Sequence, residues 1–504
     1  MPTPPATPVR AGPCATLRAV SDASTSARAR RGAPARGTGR VALSASDLVA
    51  YTGGRLLRDS RRPIRGGSVD SRLVQPGELF VALPGERTDG HLFLPEAVTA
   101  GAAALVVTRE PDSAALAGLG DVAVVLVEDA LAGLQLIAAG WRSRFKPLVV
   151  GVTGSIAKTS TKEAVANVLS ERGQTLRSEG NQNNEIGLPL ALLRLGPDDV
   201  NVVLEMGMYA TGEIARLADL ARPQIGVVTS VLGVHLSRMG TIAAIEAAKA
   251  ELVEALPADG VAVLNADDQR VLRMATRTSA RVVTYGFSAG ADVRAERIRS
   301  AGLAGMRFQL RLPPAAGPVR LGAMIPTLGR LSVHNALAGA AVGWAAGLPG
   351  EAIVAALARG WAAPHRGEVV AASGVTIVDD SYNASPASMI AALELLAGLD
   401  GRRVAVLGSM LELGEEADAG HRAVGDAAAS ACALLVTVGD GASGIAAGAR
   451  DAGMEPGAVI EATDRAAALA ALQNVLRPGD VVLVKASRGA ELERLVEDLR
   501  AARA

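Results

Sequence analysis

Lysine is rare in this chain, and its few positions point to chemistry. Of 51 basic residues only Lys146, Lys158, Lys162, Lys249 and Lys485 are lysine. Arginine serves elsewhere, so the survivors mark places where a compact primary amine does what a planar guanidinium does poorly. The competing account is that GC-rich codon usage left five lysines by drift. Lys158 lies in Gly151-Val152-Thr153-Gly154-Ser155-Ile156-Ala157-Lys158-Thr159, a phosphate-loop pattern between a β-rich run and a helix expected over about 160–172. In such a loop the backbone amides, those of Gly154 and Ser155 among them, hold phosphate oxygens with help from the helix N-terminus. Lys158 neutralises the charge, and the Thr159 hydroxyl assists a Mg²⁺ ion. Two residues depart from the common pattern: Val152 stands where its first glycine is displaced, and Ala157 replaces the glycine beside the lysine. If position 157 is left-handed, alanine costs about 1–2 kcal/mol there.

A second constellation lies downstream. Glu205 and His235 each follow a β-rich run, and Lys249 sits in Glu246-Ala-Ala-Lys249-Ala-Glu251 on a stretch of helical period. A primary amine can react with carbon dioxide to become a carbamate. A carboxylate, an imidazole and a carbamate together suit a divalent cation, and oxygen ligands favour Mg²⁺ over zinc. A buried structural histidine is the alternative reading of His235.

These groups need a scaffold. Apolar runs at 148–152, 200–204, 225–228 and 261–264 read as strands separated by helical stretches, and the theme returns at 375–378, 404–407, 434–438 and 481–484. The fold class is α/β, built on mostly parallel sheets. Lys146-Pro147 opens the second segment and a boundary falls near 361–366, so the expected domains are 41–146, 147–362 and 363–504. Ligands bind beyond the carboxyl ends of strands in open α/β sheets. Those ends carry Thr153-Gly154-Ser155, Glu205, Thr229 to His235 and Asn265-Asp267-Asp268, then Asp379-Asp380, Gly408-Ser409, Gly439-Asp440 and Lys485. Two polar sheet edges facing each other would place the chemistry in an interdomain cleft.

The 504 residues exceed what one core organises, and three domains suit the length. A formal net charge of zero argues against a nucleic-acid partner, which needs a basic stripe. Cys14 and Cys432 are the only cysteines, so a disulfide framework is not expected and a cytoplasmic location is favoured. The longest uncharged run, 331–350, holds Ser332, His334, Asn335 and Pro349 and is too polar to span a bilayer. Residues 1–40, rich in Pro, Ala, Ser and Arg, read as a disordered leader, either a bacterial extension or a misassigned start. An organelle transit peptide is the lesser alternative.

Taken in order, these strings resemble the Mur ligase family. They are the phosphate loop with Thr161-Lys162-Glu163, then Gly180-Asn181-Gln182-Asn183-Asn184-Glu185-Ile186-Gly187, then Glu205-Met206-Gly207 with Gly212-Glu213-Ile214, then Asn265-Ala266-Asp267-Asp268. Downstream, Asp379-Asp380-Ser381-Tyr382-Asn383-Ala384-Ser385-Pro386, Gly408-Ser409-Met410-Leu411-Glu412-Leu413-Gly414 and Leu483-Val484-Lys485-Ala486-Ser487-Arg488 point to one branch. That branch joins D-alanyl-D-alanine to UDP-N-acetylmuramoyl-tripeptide in peptidoglycan assembly. Upstream, Asp70-Ser71-Arg72, the run 76–82 and Asp89-Gly90-His91 match the part that holds the uridine nucleotide. The resemblance covers about residues 41–500.

The resemblance implies a three-domain architecture, with a central P-loop parallel-sheet ATPase domain and a Rossmann-like C-terminal domain, in a monomeric enzyme. It implies that Lys158, Thr159 and Ser160 hold ATP phosphates and Mg²⁺, that Glu205 and His235 bind Mg²⁺, and that Lys249 is carbamylated. Asn335 matches an adenine contact, while Arg366 and Asp380 match groups that reach ATP after domain closure. Ser71, Arg72, Asn183 and Asn184 fall on the substrate side. Departures from the family are Ala157 for Gly, Ser237 for an acid, Leu331-Ser332 for His-Asn and His365 for Gly. The rivals are a sister ligase adding the third amino acid, set aside because Asp380-Ser381-Tyr382-Asn383 replaces its Asp-Tyr-Ala-His, and a non-catalytic muropeptide-nucleotide-binding paralogue. A P-loop kinase fits the loop and leaves the flanking domains unexplained.

Overall fold

Short β-rich runs buried on both faces and linked by helices build three sheets. The structure, a computed structural model, describes residues 41–85, 88–233, 239–313, 319–372, 374–411 and 413–502. The expected leader, 1–40, lies outside the described residues, as does His235. The chain divides into two units: one runs to Phe145 and takes in Pro189–Pro197, and the other comprises Lys146–Leu188 and Asp198 onward.

In the first unit, β1 (Arg55–Arg58), β2 (Gly67–Ser68), β3 (Leu79–Val81), β4 (Ala104–Val107) and β5 (Ala123–Leu126) form a sheet in the order β1-β5-β4-β3-β2. Only β1 runs antiparallel to its neighbour. Helix α1 (Ala45–Thr52) starts at a capping box between Ser44 and Asp47 and stops at left-handed Gly53. Helix α2 (Ala130–Ser143) turns Leu134, Ile137 and Trp141 inward. The Trp141 indole Nε1 donates to Leu195 O at 3.0 Å, tying the returning segment 189–197 into this unit.

The second unit holds two sheets. The larger contains β6 (Leu148–Thr153), β7 (Thr175–Arg177), β8 (Asn201–Glu205), β9 (Ile225–Val228), β10 (Val261–Asn265), β11 (Arg281–Gly286), β12 (Val293–Ser300), β13 (Met306–Leu312) and β14 (Val319–Ile325), ordered β14-β13-β12-β11-β10-β9-β6-β8-β7. From β6 the chain moves out to β7 and β8, then crosses back to β9 on the other side of β6. The carboxyl end of β6 is therefore a topological switch point, the place where open α/β sheets take ligands. Strands β7 and β11 add to the four expected runs, and β12, parallel to β11, opens an extension in which β13 and β14 follow antiparallel. In β13 Met306, Phe308, Leu310 and Leu312 alternate inward.

Helix α3 (Lys158–Leu169) begins two residues before the expected start and ends three before the expected end, because left-handed Ala157 leads straight into it and the chain turns at Gly173. It packs on α6 (Gly329–Ala345), and a Cβ on Gly343 would meet Val168 Cγ1 at 2.5 Å, so glycine permits the close approach. Between them in sequence come α4 (Glu213–Ala221) and α5 (Ile242–Glu254). Helix α7 (Gly350–Arg359) leads through a linker to the last sheet.

That sheet has the order β15-β16-β20-β17-β18-β19, with β15 (Glu368–Ala372), β16 (Val375–Asp379), β17 (Arg402–Gly408), β18 (Leu434–Val438), β19 (Val459–Ala462) and β20 (Asp480–Lys485). All neighbours are parallel except β15 and β16. Val404 and Val406 join one core cluster while Ala405 and Leu407 join another. Both faces are covered, as a parallel sheet requires. Helix α8 (Pro386–Ala397), helix α9 (Ala417–Ala431) and helix α10 (Glu493–Ala502) are among the helices of this Rossmann-like layer.

Candidate active site

The phosphate loop leaves β6 at the switch point. Gly154 has φ 149°, and a Cβ there would sit 1.8 Å from Thr229 Oγ1. Glycine is thus required by the neighbouring loop at 229–232, which is laced to the phosphate loop. Ser155 N donates to Ser230 O at 2.8 Å, Leu232 N to Ser155 Oγ at 2.8 Å, and Thr229 Oγ1 to Ile156 O at 2.7 Å. Ala157 is left-handed, with φ 63° and ψ 4°, and α3 has no side-chain cap at its start. The first-turn amides of Lys158, Thr159 and Ser160 are then the groups a helix N-terminus offers to an anion. Lys158, half-buried, donates from Nζ to Gly154 O at 2.7 Å. Burial lowers its pKa below the usual lysine value; Glu205 opposes that shift and Arg366 adds to it.

Glu205, at the end of β8, is the hub. Its Oε2 accepts from Thr159 Oγ1 at 2.8 Å and its Oε1 from Asn183 Nδ2 at 2.8 Å. Burial opposes its ionisation, but Lys162, Lys158, Arg366 and the Asn183 amide outweigh that and hold its pKa below the usual carboxylate value. An ionised carboxylate touching a threonine hydroxyl is an all-oxygen donor set that suits a hard cation.

Lys162 was not assigned a role from the sequence, although its place among five lysines was a signal. Its fully buried Nζ donates to Ser178 O at 2.6 Å and pairs with Glu163 at 3.1 Å. Ser178 Oγ in turn accepts from Glu205 N at 3.0 Å. A compact ammonium fits this enclosed spot.

Lys249 lies on α5 and is 2% exposed. Among the described residues it makes no hydrogen bond or ion pair. Burial, with repulsion from Lys158 added, drives its pKa well below the ordinary lysine value. Two residues on, Glu251 accepts from Gly212 N at 2.6 Å and Ala215 N at 3.0 Å, capping α4 from outside.

The remaining sequence-predicted residues divide. Asn335, buried on α6, accepts from Thr161 Oγ1 at 3.0 Å and so faces α3. One residue earlier, His334 Nε2 bonds to Asp267 Oδ2 at 2.8 Å. Arg366 stands 4.0 Å over the Tyr382 ring and is near enough to act on the charges of both Lys158 and Glu205. Asp380 takes an ion pair from buried Lys485 at 2.6 Å. Asn184 turns to the backbone just downstream, accepting from Gly187 N at 2.8 Å. In the first unit, Ser71 Oγ donates to Glu96 at 2.9 Å and Arg72 is clamped on Asp70 at 2.6 Å with its guanidinium largely exposed. Among the described residues no helix is long and apolar enough to cross a membrane.

With a phosphate loop at the switch point, an oxygen-lined hub and a third sheet behind a linker, the site defines a nucleotide-using α/β enzyme class. Sequence profiles place the Mur ligase family catalytic domain on residues 63–142, its middle domain on 152–343 and its glutamate ligase domain on 365–488. The chain belongs to the Mur ligase family. It is 41% identical over 475 residues to a UDP-N-acetylmuramoyl-tripeptide--D-alanyl-D-alanine ligase of Mycobacterium tuberculosis, covering 85% of this chain and 91% of that protein. MurF from Acinetobacter baumannii matches it in structure with a TM-score of 0.81 at 29% identity, over 92% of this chain and 99% of that one. The MurF ligase of Thermotoga maritima in complex with ADP matches with a TM-score of 0.75 at 28% identity, over 87% and 99%.

Proposed function

We propose that the chain joins D-alanyl-D-alanine to UDP-N-acetylmuramoyl-tripeptide with ATP, as a cytoplasmic monomer. The observation that carries the chemistry is the meeting of Thr159, Asn183 and Glu205 beside Lys158, with Arg366 acting on the same charges from beyond the linker. The relatives supply the substrates. The terminal carboxylate of the tripeptide attacks the γ-phosphorus and ADP leaves, and the dipeptide amine then displaces phosphate from the acyl phosphate to form the amide.

Negative charge gathers on the phosphoryl oxygens in the first step. The loop amides, Lys158 and Arg366 stabilise it, being fixed before the reaction starts. Thr159 and Glu205, with His235 and Lys249, would hold Mg²⁺, which when bound screens phosphate charge. Lys249 supports this because burial and Lys158 push its pKa well below the ordinary lysine value, which favours the neutral amine that attacks carbon dioxide and releases a proton as the carbamate forms. Ser155 and Ser160 line the phosphate side, Asn335 and Asp380 the nucleotide side, and Ser71 and Arg72 the uridine side.

Mass spectrometry of the products from UDP-muramoyl-tripeptide, ATP and D-alanyl-D-alanine tests the reading. The expected product is the pentapeptide nucleotide. Equal turnover with diaminopimelate or lysine in place of the dipeptide would move the assignment to the sister ligase.

A further inference from the structure

The linker between α7 and β15 carries a residue in an unusual conformation. His365 has φ 58°, a left-handed backbone that few side chains other than Asn, Asp and His adopt. Three contacts hold it there or use it. Its Nδ1 bonds to Asp379 Oδ2 at 2.7 Å, its carbonyl accepts from Tyr382 N at 3.1 Å, and the next residue, Arg366, donates from N to Ala363 O at 3.1 Å. Asp379 is buried at the end of β16, and its other oxygen accepts from Ser381 N at 3.1 Å and Ser381 Oγ at 2.5 Å. Tyr382 lies under the Arg366 guanidinium, and its hydroxyl accepts from Arg488 Nη1 at 3.0 Å. One imidazole thus ties the linker turn to the strand end that also carries Asp380.

We propose that His365 is a positioning residue for phosphate transfer: held by Asp379, it fastens the linker to β16 and keeps Arg366 stacked on Tyr382 and directed at Lys158 and Glu205. This rests on the reading that the site uses ATP. Among the described residues the His365 side chain bonds to Asp379 and not to Lys158, Thr159 or Glu205, so its effect passes through the adjoining Arg366. The charges facing it are Asp379 on β16, Glu368 on β15 and Glu493 at the start of α10. The hydrogen bond to Asp379 raises its pKa above the usual 6.5, against burial and with the help of the carboxylates. A raised pKa means that the charged fastener is complete below 6.5 and is lost as pH rises through the folded-state value.

The test uses the full chain and two variants. His365→Asn keeps a neutral donor and tolerates the left-handed backbone, and Asp379→Asn keeps an acceptor without its charge. In the wild type, kcat/KM for ATP falls as pH rises from mildly acidic to mildly alkaline. In each variant it is roughly tenfold lower at the acidic end and that pH response is gone, while KM for the uridine-nucleotide substrate is unchanged. Calorimetric titration with ATP across the same pH range gives a second readout that needs no turnover. A thermal midpoint that drops while kcat/KM for ATP, its pH profile and ATP affinity stay at wild-type values would overturn the proposal and leave His365 a structural residue. If the wild type binds ATP without ligating these substrates, the functional reading fails, and the ATP affinity of His365→Asn still decides the fastener.

Discussion

The Thr159 hydroxyl donates to Glu205 at 2.8 Å across 46 residues of sequence, joining the first turn of α3 to the end of β8. The contact sets a hydroxyl and a carboxylate in one small volume with Lys158 close by. Thr159→Ser should retain activity within about threefold, whereas the isosteric Thr159→Val should lose roughly 10²–10³-fold in kcat. Glu205→Gln leaves Lys162, Lys158 and Arg366 short of a counter-charge, so stability should fall by about 1–3 kcal/mol along with activity. Steady-state kinetics with denaturant titrations check both, and a fully active Thr159→Val would remove the hydroxyl from the site.

Lys249 should be required as an amine and not as a cation. Lys249→Arg supplies a permanent cation that cannot form a carbamate, so it should be as inactive as Lys249→Ala. Lys249→Met, which removes a buried amine without a partner among the described residues, should stabilise the fold by on the order of 1–2 kcal/mol while abolishing turnover. Near-normal rates in the arginine variant would rule out the carbamate.

Ala157 is left-handed at φ 63°. The shape of its loop is set by protein hydrogen bonds, among them Thr161 N to Ala157 O at 2.8 Å and Ile156 N to Ser230 Oγ at 3.2 Å. The strain therefore belongs to the fold and is carried with or without nucleotide. Ala157→Gly should raise stability by about 1 kcal/mol and change KM for ATP by less than about threefold. A larger drop in KM would mean that nucleotide binding bears the strain.

Asp267 accepts from His334, from Phe287 N and Ser288 N at 2.7 and 2.8 Å, and from the Ser288 hydroxyl. Burial raises its pKa, and these bonds outweigh it and leave it below the ordinary 3.8. Its contribution is complete above that value and is lost as pH falls toward the folded-state pKa. Asp267→Asn should cost about 1–3 kcal/mol at neutral pH and lose less stability than the wild type between about pH 4 and pH 2. Parallel slopes in acid would show that the carboxylate contributes nothing there.

What could be seen in advance follows from range. The eight expected strands lie at their places because each is an apolar run bounded by polar punctuation, and Thr153, Glu205 and Asp379 stand at strand ends as local pattern implies. The antiparallel extension β12 to β14 has no clear sign in the sequence, since Arg294, Arg307 and Arg311 break the apolar runs there with charges, and Arg294 finds its ion pair in Glu296 of its own strand. The site shows the same limit. Lys158, Glu205 and Lys249 were legible as residue types in context, but the bond from Thr159 to Glu205 and the tie from Asp379 to His365 depend on which strands are neighbours. Ser178 gave no local sign at all, because its role comes from lying between Lys162 and the amide of Glu205.

The bond from Trp141 to Leu195 bears on how the protein is made. The first unit is not one continuous stretch, for it borrows Pro189–Pro197 from beyond the start of β6. During synthesis the chain emerges from its amino end, so residues 41–145 leave the ribosome with the Trp141 indole still lacking its carbonyl. Roughly 50 more residues, several seconds of elongation, must follow before that partner arrives. A fragment ending at Phe145 repeats this unfinished state permanently, and only one that also supplies 189–197 can close it.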